Sequence, residues 1–273
     1  MAKQTILMTG AAGGAAALLR PYLREHVALR LSDRAAAPQD LVDGETWQSG
    51  DLTDPAAMAK LVEGVDGVIH LGGQSVEADW DTVRAANFDG LFNILTACRN
   101  AGVPRFIFAS SNHTVGFYAR TRRIGTDTLV RPDGLYGVSK AFGEALVSMF
   151  CDKHGLRAMS IRIGNVAPRP ADKRRMSMWI HPEDLSDLIM IGLTHPDVHH
   201  SIVYGISHNE RGWWDNKTAF DLGYVPMHDA EDHAEFALAE QARMGPNTVG
   251  DVFQGGPFCA DGFSGDLERT RKS

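Results

Sequence analysis

The sequence predicts an α/β fold: a doubly wound parallel sheet with a small C-terminal lobe folded over it. Three observations carry this expectation. Short apolar runs of strand length alternate with longer stretches that are apolar on one face, from residue 5 to residue 163. Each run stops at glycine or small polar residues, as a strand does when it hands over to a helix through a tight turn. After residue 163 the alternation lapses into a Pro- and Arg-rich stretch, 164–180, and then into mixed helical segments with a strand at Ser201–Tyr204. Residues 1–163 are therefore read as the sheet-forming core, and 164–273 as a mostly ligand-binding segment that forms one compact unit with it.

The first strand, residues 5–9, runs into Gly10-Ala11-Ala12-Gly13-Gly14-Ala15-Ala16, and the helix that follows turns Leu18, Leu19 and Leu23 to the core. In this setting Gly10, Gly13 and Gly14 let a pyrophosphate approach a helix N-terminus, which is the Rossmann arrangement for a dinucleotide. The second strand, 27–32, ends at Asp33, twenty-three residues after Gly10. A carboxylate there accepts hydrogen bonds from ribose hydroxyls and repels a 2′-phosphate, which points to NAD; the neighbouring Arg34 is able to accept that phosphate. A third strand ends at Gly50, and Asp51 either caps the helix that opens at Pro55 or faces an adenine. The fourth, 67–71, runs into Gly72-Gly73-Gln74-Ser75. Phe88, Leu91, Leu95 and Cys98 recur at helical spacing, so residues 87–103 are expected to form a helix buried in the core. The fifth strand, 105–109, delivers Ser110-Ser111-Asn112-His113-Thr114, and the sixth is 157–163. Polar residues at the C-terminal end of a strand lie on the ligand side of an open sheet.

Tyr136 and Lys140 stand four residues apart in a stretch that reads as helix, so both side chains project from one face. A phenol beside an ammonium is a poised proton acceptor, because the positive charge favours the phenolate and lowers its pKa. Alone the pair is a common coincidence; following the glycine turn, the acidic strand end and the polar strand end in order, it marks a candidate catalytic centre.

Composition excludes several classes. A net charge of −7 argues against a nucleic-acid surface or an anionic membrane as partner. No apolar run approaches the roughly 18 residues that span a bilayer, and no signal peptide is apparent, so a cytoplasmic protein is expected. Cys98, Cys151 and Cys259 are an odd number with no ligand spacing, and the 11 histidines are scattered. Reduced thiols and no metal site are expected.

With these residues in place the chain resembles the short-chain dehydrogenase/reductases of the extended, epimerase-like type. The carriers are TGAAGGAA (9–16), Asp33, Asp51-Leu52, the stretch 87–111 and YGVSK (136–140). Within that family, HLGGQSVE (70–77), ASSNHTVG (109–116), RPDGLYGVSK (131–140), GWWDN (212–216) and FQGGPF (253–258) look like the uronate-oxidising dehydrogenases nearly end to end. The resemblance implies oxidation of the anomeric carbon of glucuronate or galacturonate with NAD, giving an aldarolactone. A homo-oligomer is expected.

Carried over residue by residue, the resemblance makes Tyr136 the base, Lys140 its activator and ribose clamp, and Ser111 the hydroxyl that orients the reacting oxygen. Gly10, Gly13, Gly14, Asp33, Arg34, Asp51, Leu52, Leu71, Gly72, Gly73, Gln74, Ser75, Tyr136, Lys140 and Asn165 would hold NAD. Ser75, Ser111, Asn112, His113, Tyr136, Asn165 and Arg174 would hold the hexuronic acid. Position 165 carries Asn where Ser is expected, and Arg174 and Arg175 compete for the substrate carboxylate, which a guanidinium fork pairs bidentately. For His113 a bond to a sugar hydroxyl is favoured over an acid–base role. Trp213 and Trp214 are read equally as a sugar platform or as packing. Two rivals stay open: a sugar-nucleotide epimerase or dehydratase, for which 108 residues after position 165 make a small lobe, and a non-catalytic NAD-sensing regulator, which would not need the Tyr/Lys pair.

Overall fold

The computed structural model describes residues 3–272. The six expected strands form as β1 (Thr5–Thr9), β2 (Ala28–Ser32), β3 (Glu45–Trp47), β4 (Gly67–His70), β5 (Arg105–Ser111) and β6 (Arg157–Ile163). The third strand ends at Trp47, three residues before the expected Gly50. Two short strands, β7 (Asn165–Val166) and β8 (Trp179–Ile180), pair with each other outside the main sheet, and β9 (His200–Gly205) follows. Among the described residues seven strands make one sheet in the order β3-β2-β1-β4-β5-β6-β9, every pairing parallel. The direction of winding reverses between β1 and β4, and an open α/β sheet holds its ligand outside the strand ends at that switch point.

The strands read as continuous apolar runs because both faces of the sheet are covered. Ile6 and Met8 of β1 point to one layer, with Leu19 and Leu23 of α1 (Gly14–His26); Leu7 between them points to the other. The second layer holds Met58 of α2 (Pro55–Leu61), Leu91 and Leu95, and Phe150 near the end of the long helix that carries Tyr136. Each fully buried side chain of this kind stabilises by about 1.5–3 kcal/mol. Leu18, expected in the core, is only half-buried.

The expected 87–103 helix begins earlier and is irregular. It opens as α3 (Trp80–Val83), where the Asp79 carboxylate accepts from Thr82 N at 3.0 Å. It widens to a π-helical turn over Arg84–Asp89 and continues as α4 (Gly90–Ala101). The π turn carries Asn87, 6% exposed, into the interior, whereas Phe88 stays half-buried against Trp80 and Phe142. Such turns sit frequently at functional sites.

Next in chain order come α5 (Leu135–His154), α6 (Lys173–Met176) and α7 (Pro182–Thr194). Part of 164–273 returns to the sheet, since α7 packs on α1 and β5 and β9 pairs with β6. α8 (Lys217–Asp221) packs on β9, while α9 (Ala234–Arg243) packs on α6 and on Trp179 of β8.

Candidate active site

Two adjoining cavities open at the C-terminal ends of the strands. The larger, about 480 Å³, is walled by Gly10, Gly13, Gly14, Asp33, Arg34, Asp51, Leu52 and residues 71–75. Its floor is the β1–α1 turn. Gly10 has φ +71°, and a Cβ there would stand 2.6 Å from Gly72 N, so two strand ends approach as closely as they do only because it is glycine. Gly13 precedes α1 and offers no side chain to its first turn, while a Cβ on Gly14 would meet nothing within 4 Å. The helix N-terminus thus faces open space with its backbone N–H groups unshielded, which fits an anionic pyrophosphate. Asp33 accepts from Ala12 N at 3.2 Å and Ala35 N at 3.1 Å, one bond to each oxygen, so both keep lone pairs toward the cleft. Asp51 does not cap α2: it accepts from Thr53 N and Thr53 Oγ1, both at 2.8 Å, while Asp54 caps the helix. Those bonds hold the Asp51 carboxyl below its ordinary pKa.

The smaller cavity, about 210 Å³, shares Leu71, Gly73, Gln74 and Ser75 with the first and adds Ser111, Asn112, His113, Tyr136 and Lys140. The register of β5 on β6 and the short 3-10 turn after Ser111 set the polar strand end against the first turn of α5. Lys140 is buried and its Nζ donates to Ala109 O at 2.8 Å, 5.6 Å from the centre of the Tyr136 ring. Burial lowers the ammonium pKa from an ordinary 10.5 to about 8. Tyr136 goes the other way. Burial raises its pKa, and a hydrogen bond with Ser111 only partly opposes that. The expected depression by Lys140 is therefore absent from the protein alone: desolvation of the phenolate, with the charge of Asp133 added to it, outweighs the Ser111 hydrogen bond. His113 Nδ1 lies 2.7 Å from Asp133 Oδ2, and its ring stacks 3.9 Å from that of Phe258. Asn112 is 1% exposed, and its Nδ2 has no hydrogen-bond partner among the described residues. A buried donor of this kind costs about 1–3 kcal/mol until an acceptor reaches it.

Comparison with known proteins agrees with this geometry. Residues 6–192 match the NAD dependent epimerase/dehydratase family. The chain is 43% identical over 263 residues to a uronate dehydrogenase of Pseudomonas syringae pv. tomato, covering 96% of this chain and 95% of that one. The chain belongs to the uronate dehydrogenases of this family. A glucuronic acid dehydrogenase from Chromohalobacter salexigens superposes with a TM-score of 0.90 at 40% identity, covering 94% of this chain and 97% of that one. A mutant uronate dehydrogenase from Agrobacterium tumefaciens, complexed with NAD, gives 0.89 at 39%, covering 94% and 97%.

Against the uronate dehydrogenase expectation, two site residues stand apart from the cavity walls. Gly164 and Val166 line the smaller cavity; Asn165 between them does not, and its backbone N donates to Met178 O at 2.9 Å. Arg174 is also set back. Its Nε and one terminal nitrogen donate to Gln254 O and Gly255 O at 2.9 and 2.8 Å, whereas Arg175 pairs with Asp172. Trp214 packs, 3% exposed and stacked 4.6 Å from Tyr204, and gives no sugar platform.

Three residues that sequence reasoning passed over shape the site. Asn87 accepts from Gln74 N at 2.7 Å and donates to Gln74 O at 3.0 Å and Ser139 Oγ at 2.8 Å. It thereby ties the cofactor-side turn to the helix of Tyr136 and Lys140. Glu77 accepts from Leu135 N at 2.8 Å and Tyr136 N at 3.1 Å, supplying the cap that Gly134 lacks. Phe258 covers His113 because the 254–255 backbone is bound by Tyr118, Gly116 and Arg174, and Gly255 leaves no room for a Cβ beside Asp133. The glycine pair in FQGGPF was a signal of a kind, but it does not name its partner.

Proposed function

We propose that this chain oxidises the anomeric carbon of a hexuronic acid, glucuronate or galacturonate, to the aldarolactone with NAD, and that Tyr136 takes the hydroxyl proton. The observation that carries the reading is the convergence of Ser111, Asn112, His113, Tyr136 and Lys140 on one small cavity continuous with the glycine-floored cleft. NAD, when bound, accepts the hydride from the carbon that loses the proton. The larger cavity would hold it through the residues of the α1 turn, Asp33 and the 71–75 turn.

The protein's own part is orientation and proton handling. Ser111 sits within hydrogen-bonding reach of Tyr136, so one sugar hydroxyl is able to bond both. Lys140 keeps its charge beside the phenol near neutral pH and stabilises the phenolate as it forms. The unpartnered Asn112 Nδ2 gains an acceptor when a sugar oxygen enters. Asp133 fixes which ring nitrogen of His113 faces the cavity, which suits a hydrogen bond to a sugar hydroxyl better than proton shuttling. Arg174 is the proposed reader of the carboxylate. Arg175 is engaged by Asp172, while two of the five donors of Arg174 serve backbone carbonyls and, among the described residues, the remainder of the fork has no hydrogen-bond partner. The same bonds favour a second role, holding the 254–258 segment over His113. The protein is expected to act in the cytoplasm as a homo-oligomer; among the described residues no helix is long and apolar enough to cross a membrane.

The test is formation of NADH with glucuronate, with galacturonate and with glucose. Both uronates are expected to turn over well and glucose poorly. Equal rates for all three, or none with the acids, would refute the reading.

A further inference from the structure

We propose that His181, Glu183 and His228 form a binding site for one divalent transition-metal ion of the zinc class, joining the start of α7 to the loop at 225–229. One ligand atom from each residue lies within 4.8 Å of the other two. The imidazoles of His181 and His228 face each other at 3.6 Å, and Glu183 Oε2 is 3.0 Å from His228 Nε2. None of the three belongs to the walls of the two cavities described above.

The backbone under these side chains is fixed from below. Asp184, wholly buried, accepts from Met227 N at 2.8 Å and His228 N at 3.3 Å and is also bonded by the Ser207 hydroxyl. Ser207 Oγ in turn accepts from His181 N at 2.9 Å. Both segments that carry ligands therefore hang from one buried carboxylate and its serine, and little ordering remains to oppose a bound ion. The edges of Trp179 and Tyr22 pack around His181 at 6.0 and 6.1 Å. Two imidazoles and a carboxylate suit zinc, nickel or copper, whereas magnesium and calcium take all-oxygen shells. Three protein ligands leave a fourth position of a tetrahedral ion for water or a small anion. Nothing in the spacing of the 11 histidines marks the site, since His228 lies 47 residues from His181.

An ion pair accounts for the contact of Glu183 with His228, and His181 Nδ1 accepts from Glu183 N at 3.3 Å, capping α7 and leaving Nε2 of His181 as its ligand atom. The test uses the untagged full chain, stripped with a chelator and titrated calorimetrically with zinc chloride, then with magnesium chloride. One zinc per chain and no magnesium is expected, with a rise in Tm. His228→Ala, His181→Ser and Glu183→Gln should each weaken zinc at least tenfold and abolish the Tm rise. Serine keeps a capping oxygen for α7, and uronate oxidation by each variant checks that it has folded. His208→Ala, which alters a neighbouring exposed histidine paired with Asp229, should bind as wild type. Absence of saturable zinc binding overturns the proposal. So does undiminished affinity in all three variants, or an equal loss in His208→Ala.

Discussion

Replacing Lys140 with methionine should make the protein more stable and nearly inactive at once. The lysine is buried, and its pKa falls from an ordinary 10.5 to about 8 because the ammonium is desolvated. At about 1.4 kcal/mol per pH unit, keeping that charge inside at neutral pH costs about 3 kcal/mol. Methionine removes this cost at similar volume. It also leaves Ala109 O without the 2.8 Å bond from Nζ, which takes back about 1 kcal/mol. A net gain of about 2 kcal/mol at pH 7 results. The sign reverses with pH. Between about pH 8 and 10.5 the unfolded chain binds the proton that the folded one has released, so wild-type stability rises there relative to the variant. Urea unfolding of both proteins without cofactor, at neutral pH and again near pH 10, measures the gap. The variant should lead at neutral pH, lose its lead on the alkaline side, and turn over uronate about 10²–10⁴-fold more slowly. A variant no more stable than wild type at pH 7, with a gap indifferent to pH, would show that Lys140 carries no such penalty.

The remaining predictions concern how the site is held and read. Asn87→Ala removes three bonds that link the 74 turn to α5; NAD should bind about tenfold more weakly, equal to 1.4 kcal/mol, and unchanged NAD affinity would contradict the linking role. Arg174→Ala should lower kcat/KM for glucuronate about 30-fold or more, since loss of one partner from a desolvated charge pair costs about 2–5 kcal/mol. Arg174→Lys should restore only part of it, and the residual rate on glucose should hardly change. If Arg175→Ala carries the loss instead, the carboxylate belongs to the neighbour; if the glucose rate falls as far as the glucuronate rate, Arg174 serves the 254–258 segment alone.

Much of this was legible locally. The strand runs at 5–9 and 157–163 form with the expected bounds, and a tight glycine turn joins β1 to α1 as strand, glycines and helix in that order imply. Tyr136 and Lys140 share a helix face because four residues are about one turn. What escaped depends on contacts far apart in the chain. Glu77 caps α5 from 58 residues away, and Phe258 reaches His113 across 145 positions. The π turn at Arg84–Asp89 has no sequence period of its own, so Asn87 read as one more helical residue. The direction of the Tyr136 shift also escaped. Spacing reveals a nearby charge but not the depth of burial, and burial governs here. Ser201–Tyr204 was recognised as a strand, but only its pairing with β6 makes it the seventh of the sheet.

The measurement closest to the central claim is the single-turnover rate of NADH formation by Tyr136→Phe, with NAD binding followed separately. The ring is kept and only the hydroxyl removed, so NAD should bind as in wild type while the rate falls by about 10²–10⁴-fold. Because the phenolate is the working form and burial raises its pKa, the wild-type rate should climb with pH through neutrality and the variant's residual rate should not. A variant that oxidises glucuronate at near wild-type speed would contradict the assignment of Tyr136 as the base.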